Sequence, residues 1–311
     1  MILAAALLLG ALLTGCGAPV LLRRLTASRV DPAVAIALWL VTMTGVLLGA
    51  VASLTLLVWP GHGPADAITA WVHRCWTALS HDGIPHLDPL VATASTGVAL
   101  AVAVRMARAG VRRGRRKAAL RRQHDQALLL TQPDTTGAAP TLWLDHDTPL
   151  AYSLHGHGGL VVATRGLTEQ LTKPQVQAVL AHERAHLRGR HHQLVGIVDL
   201  AAKALRILPL MRHAAGAIRV LVELAADRAA VAACGAAPVR EAVRALTSPL
   251  APTRALAMSG ADTAVRLRRL DRPRASRRSA FAVAGAGAGA LLIPLTLTTG
   301  LLAAAGVLLC A

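Results

Sequence analysis

His182-Glu183-Arg184-Ala185-His186 lies inside an apolar, helix-spaced run at residues 176–187. Residues four apart share one face of a helix, so His182 and His186 can both turn imidazole nitrogens toward one zinc ion. Glu183 lies beside them, where a carboxylate can take a proton from an attacking water. The chain holds only four glutamates and thirteen histidines in 311 residues. On those frequencies the pattern H-E-x-x-H arises by chance in roughly one such chain in a hundred, so a solvated His/Glu face on an ordinary helix is the weaker account.

A catalytic zinc takes a third protein ligand and leaves one position open. Two residues compete for that place. Glu223 stands in an otherwise apolar helical stretch, Val222-Glu223-Leu224-Ala225-Ala226-Asp227. A buried carboxylate is costly without a partner, and a metal is such a partner. Asp227, one turn further along the same face, is placed to accept a hydrogen bond from a ligating imidazole. The second candidate is His192, because His182 to His192 also fits the longer spacing H-E-x-x-H-x-x-G-x-x-H. That class needs a methionine turn, and neither Met211 nor Met258 has a persuasive turn context.

The elements that must position these residues come next. Residues 141–145, 150–154 and 159–164 read as short strands, with a Gly-rich turn at 155–159 whose His155 and His157 are loop residues. Thr172-Lys173-Pro174-Gln175 is a capping box with an early proline, so the motif helix starts near Lys173. Residues 193–211 read as a buried amphipathic helix interrupted by Asp199, Lys203 and Arg206, and residues 214–234 as another helix stopped near Gly235 and Pro238.

Around this soluble-looking part, the composition points to a membrane. Hydrophobic residues make up 54% of the chain with hardly any Phe or Tyr, and they fall in long blocks at 2–22, 33–59, 89–104 and 280–310. Residues 65–79, with Trp71 and Trp76, suit an interfacial helix. The net charge of +17 gathers in runs beside the blocks, from Arg105 to Arg122 and from Arg266 to Arg278. No nucleic-acid motif accompanies those runs, so anionic lipid headgroups are the expected partner and direct nucleic-acid binding is not expected. The positive-inside rule then places the N-terminus outside, the soluble-looking segment in the cytoplasm and the last span running outward. Leu13-Thr14-Gly15-Cys16 resembles a lipobox, but no basic residue precedes it, which argues against a lipidated Cys16. The four cysteines show no C-x-x-C spacing and make neither a disulfide framework nor a cysteine zinc site.

At residues 179–192 the chain resembles the motif helix of the BlaR/MecR-type antirepressor peptidases, a bacterial family of membrane zinc metallopeptidases. Residues 161–167 and the Glu223-x-x-x-Asp227 pattern resemble that family and its HtpX-type relatives, and the layout of three spans before the site and one after resembles the antirepressors more closely. The resemblance implies a gluzincin site with one zinc held by His182, His186 and Glu223, Glu183 as base and Asp227 behind a ligand. The family's sensors carry a penicillin-binding domain after the last span; none is present here, which sets direct antibiotic sensing aside. Family members commonly have an acidic residue where His191 stands. For the oxyanion of the tetrahedral state, Arg219, His213, His191 and His192 are candidate donors.

The expected architecture is a mainly α membrane protein with about four transmembrane helices and a cytoplasmic α+β gluzincin metallopeptidase domain. Its parts are residues 1–123 (three spans and a basic juxtamembrane segment), 124–250 (peptidase), 251–279 (basic helical linker) and 280–311 (last span). The expected activity is zinc-dependent cleavage of a protein or peptide such as a transcriptional repressor. Quality control of membrane proteins and a non-catalytic receptor or scaffold retaining the zinc site are the alternatives.

Overall fold

A computed structural model describes residues 2–27, 30–58, 140–154, 159–247 and 260–271, with scattered helical positions between 97 and 114. The stretch at 65–79, the turn holding His155 and His157, the apolar block at 280–310 and most of the block at 89–104 lie outside the described residues.

Two apolar helices, α1 (Ile2–Ala27) and α2 (Pro32–Val58), form a hairpin. Their apolar stretches, Ala6–Arg24 and Pro32–Leu54, run 19 and 23 residues, long enough by length and composition to cross a membrane. Small residues let them approach: a Cβ on Gly49 would meet the Ala11 side chain at 3.6 Å. The hydroxyls of Thr14 and Thr42 donate to the carbonyls of Gly10 and Leu38, each at 2.8 Å, so neither is left unpaired in an apolar setting.

The remaining described elements build the part that carries the H-E-x-x-H helix. Strands β1 (Thr141–Leu144), β2 (Ala151–Leu154) and β3 (Leu160–Thr164) form one sheet in the order β1-β3-β2. β1 runs parallel to β3 and β2 antiparallel to it, with Thr141 opposite Val161 and Ala151 opposite Ala163. β3 is buried along its whole length, as its unbroken apolar sequence requires. β2 stands at the edge, and its register is fixed from behind. Gly166, in the short helix α3 (Arg165–Gln170), abuts the β1–β2 connection so closely that a Cβ there would lie 1.8 Å from the Asp147 carbonyl oxygen. Thr164 Oγ1 donates to Thr148 O at 2.7 Å and accepts from the Leu150 amide at 2.9 Å.

The motif helix α4 (Lys173–Arg188) begins as its sequence predicts, with the Thr172 amide donating to Gln175 Oε1 at 3.0 Å and Pro174 in the first turn. It packs on the sheet through Val176 and Leu180 against Val161, Ala163 and Leu167. Arg184 Nη2 adds a bond to Thr141 Oγ1 at 3.3 Å. Helix α5 (His191–Ala204) follows after a sharp break, then α6 (Pro209–Cys234), α7 (Ala236–Leu246) and α8 (Gly260–Leu270). Residues 193–211 are therefore not one helix, as the periodicity suggests, but most of α5, the tip of a hairpin and the first three residues of α6. Pro209 cannot donate within a continuing helix and instead opens α6.

The α5–α6 hairpin packs along α1 and α2. Leu210, Met211, Ile218 and Leu221 of α6 share one core with Trp39, Met43 and Val46 of α2. Leu208, at the hairpin tip, reaches Gly15, midway along the apolar stretch of α1, where a Cβ would lie 3.4 Å from its Cδ2. Arg105 binds the other arm, donating from Nε to Ala204 O and from Nη2 to Lys203 O, both at 3.2 Å.

Candidate metal centre

Two helices meet at the site. α4 supplies His182 and His186 from one face, and α6 supplies Glu223 and, four residues on, Asp227. His182 Nε2 and His186 Nε2 lie 3.1 Å apart. Each lies 3.4 Å from a Glu223 oxygen, His182 from Oε2 and His186 from Oε1. Ligands at zinc's usual bond lengths stand about 3.3 Å apart along the edges of a tetrahedron. The spacing, the two imidazoles and the one carboxylate all suit a zinc ion with one position left open.

Asp227 Oδ1 lies 3.0 Å from His182 Nδ1, on the side of the ring away from the cluster. It is almost fully buried, and Arg266 of α8 holds it from behind. Arg266 Nε donates to Asp227 Oδ2 at 2.7 Å and Nη2 to Oδ1 at 2.6 Å, a two-pronged pair, while Nη1 lies 3.5 Å from Glu223 Oε2. Composition assigns Arg266 to a basic run flanking the membrane; instead it is only 3% exposed and belongs to the site. A buried carboxylate of this kind needs a counter-charge, and one arginine of the run supplies it.

Electrostatics follow this wiring. Burial pushes the His182 imidazole down, but hydrogen bonds to Asp227 and Glu223 and the Asp227 charge outweigh it and raise the pKa to about 9. His186 goes the other way, to about 3, because burial and the neighbouring His182 charge outweigh the pull of Glu223. Burial pushes Asp227 up, but its bonds with His182 and Arg266 bring it to about 2. Glu223 is held below the usual carboxylate range by His182, against its burial. Glu183 is raised, by burial first, with the His182 charge and a hydrogen bond from Ser153 acting in the opposite sense. A raised carboxylate beside a metal cluster is suited to taking a proton from water and giving it back. Ser153 belongs to the edge strand β2, so the candidate base is tied to the strand that borders the site.

The other residues named from the sequence separate clearly. His192 lies at the start of α5 and is not in the donor cluster. His191, its neighbour, is at the site, with Nδ1 3.0 Å from His186 Nδ1. Arg219 donates to Asp199 of α5 at 2.6 Å and is half exposed, which makes it a clasp between the hairpin arms. His213 stands ten residues before Glu223 on α6, a separation of about 15 Å along a helix. Ser153 and Arg266 are the site residues that sequence reasoning missed. Nothing in the strand at 150–154 singled out the first, and nothing in the basic run singled out the second.

Comparison with known proteins agrees with this geometry. No curated protein and no solved structure matches the chain. Residues 116–221, about a third of the chain, match peptidase family M48, and the matched stretch contains His182, Glu183 and His186 but ends two residues before Glu223. The segment that carries the histidine pair is thus similar to a peptidase family, and in this chain it follows N-terminal helices of membrane-spanning length.

Proposed function

We propose that the protein is an integral-membrane zinc-dependent endopeptidase whose site faces the cytoplasm and cleaves a protein substrate, a transcriptional repressor being the substrate class its layout suggests. The observation that carries the reading is the triangle of His182, His186 and Glu223 with Glu183 of α4 beside it, bonded to Ser153 of β2. A structural zinc site has no use for a raised carboxylate next to its ligands.

His182, His186 and Glu223 would hold the zinc, which would supply polarisation of a carbonyl and a more acidic water. The chain's own residues do the rest. Glu183 takes a proton from the attacking water and returns it to the leaving amine. Asp227, held by Arg266, orients the His182 ring. β2 pairs only with β3 among the described residues, so its outer edge can bind an extended substrate by main-chain hydrogen bonds.

Two contacts support a site near the bilayer surface. Arg228 pairs with Asp31, and Arg269 Nη1 donates to Val30 O at 2.8 Å, so the α1–α2 connection lies beside Asp227 and Arg266. The same placement favours a second reading, quality control of membrane proteins, because the hairpin tip at Leu208 reaches the middle of α1.

The test is cleavage of an unstructured reporter protein by the detergent-purified chain. The proposal expects cleavage by the wild type, loss on zinc chelation, recovery on adding zinc back, and a drop of at least about a hundredfold for Glu183→Gln. A zinc-loaded wild type no faster than Glu183→Gln on any substrate would leave a receptor or scaffold as the better account.

A further inference from the structure

We infer that His191 is a positioning residue for the metal centre, acting through His186 as the hydrogen-bond acceptor that fixes that ring. The inference rests on the zinc-site reading above. If His186 turns Nε2 toward the metal, its proton must sit on Nδ1. The atom facing that proton is His191 Nδ1, at 3.0 Å, with the two rings perpendicular and their centroids 4.9 Å apart. His191 must then carry its own proton on Nε2, so that Nδ1 can accept. The two metal-facing histidines are thus backed differently: His182 by the carboxylate of Asp227, itself gripped by Arg266, and His186 by an imidazole.

Two features of the backbone serve this contact. His186 and His191 are five residues apart, which on one continuous helix would separate them by about 140°. The chain breaks between them instead. Arg190 takes a left-handed conformation, φ 48°, which restarts the helix with His191 folded back over the end of α4. Gly189 makes the room. Its own φ of −76° suits any residue, so the backbone does not call for glycine. A Cβ there, however, would lie 2.3 Å from His191 Nε2 and 2.6 Å from Cδ2. Any larger residue at 189 pushes the ring off His186.

A catalytic donor to the substrate oxyanion is the competing role for His191. That role leaves metal retention unchanged when the imidazole is removed; the positioning role does not. The probe is cobalt(II), bound to the full chain in detergent, followed by its visible absorption band and by its rate of release to a chelator. Loss of a partner that orients a ligand weakens metal binding about 10–100-fold, so His191→Phe, which keeps a ring but no acceptor, should release cobalt faster by that factor and alter the band. His191→Asn restores an acceptor and should return the release rate to within about threefold of wild type. Gly189→Ala should also speed release, and should add nothing in a chain already carrying His191→Ser. A His191→Phe protein that keeps cobalt as long as the wild type overturns the inference while leaving the metal site in place. A wild-type chain that takes up no cobalt or zinc overturns both.

Discussion

His182 stands between two carboxylates, and that position sets how metal uptake depends on pH. Its pKa of about 9 means that the metal-free protein carries an imidazolium there at neutral pH, bridging Glu223 and Asp227. A metal needs the neutral ring, so uptake must expel that proton. His186, at about 3, and Glu223, held low, are already in their binding forms. Calorimetry at pH 7 in buffers of different ionisation enthalpy should therefore record about one proton released per zinc. Apparent affinity should rise about tenfold per pH unit up to pH 9 and then level off; a flat profile would contradict this. Arg266 belongs at the same scale. Removing one partner of a buried ion pair costs about 3–5 kcal/mol because the other charge is stranded. Arg266→Met should lower thermal stability accordingly, and Asp227→Asn introduced beside it should recover part of the loss. His182 with His186 and Glu223 with Asp227 stood out as candidates because each pair is four residues apart on a helix, and Glu183 because the motif encloses it. Arg266 was not, because it pairs with a carboxylate 39 positions away, and its neighbours in the run look the same in sequence. Nor was the role of His191, since a five-residue separation means nothing until the backbone breaks.

At the scale of elements, that break and the edge strand are the parts that local sequence controls. Arg190 holds a left-handed conformation that a non-glycine residue adopts at about 1–2 kcal/mol. Arg190→Gly should leave the α4–α5 junction in place and raise the melting temperature slightly, or leave it level; a clear fall would mean that the arginine side chain itself holds the turn. Gly166 is the opposite case. A methyl group there collides with the Asp147 carbonyl, so Gly166→Ala should destabilise by about 1–3 kcal/mol and impair cleavage through a displaced β2. The three strands and the start of α4 agree with their sequence signals to within a residue or so, because alternation, turns and capping are local. The α5–α6 hairpin was missed as a hairpin. Residues 193–211 read as one amphipathic stretch despite Asp199, Lys203 and Arg206, and only Pro209 marks the restart.

For the whole molecule, the central arrangement is a metal centre at the end of an apolar helical hairpin. Gly15 and Leu208 meet midway along α1, while Val30 and Asp31 meet Arg269 and Arg228 beside the site. If α1 and α2 span a bilayer, the α5–α6 tip sits within it and the site lies at its border. Ile207 is 90% exposed at that tip, which suits lipid contact. A nitroxide at position 207 in proteoliposomes should be relaxed by dissolved oxygen more than by a water-soluble nickel complex; the reverse order would place the tip in water. The two N-terminal helices of membrane-spanning length were legible from length and apolarity, whereas the packing of α6 against them was not, because helix-on-helix contact leaves no periodic mark beyond an apolar face. The most direct test of the account is zinc content in the detergent-purified protein beside Glu223→Gln and His192→Gln. The account predicts about one zinc per chain in the wild type and in His192→Gln, and little in Glu223→Gln. Zinc retained by Glu223→Gln but lost from His192→Gln would contradict it.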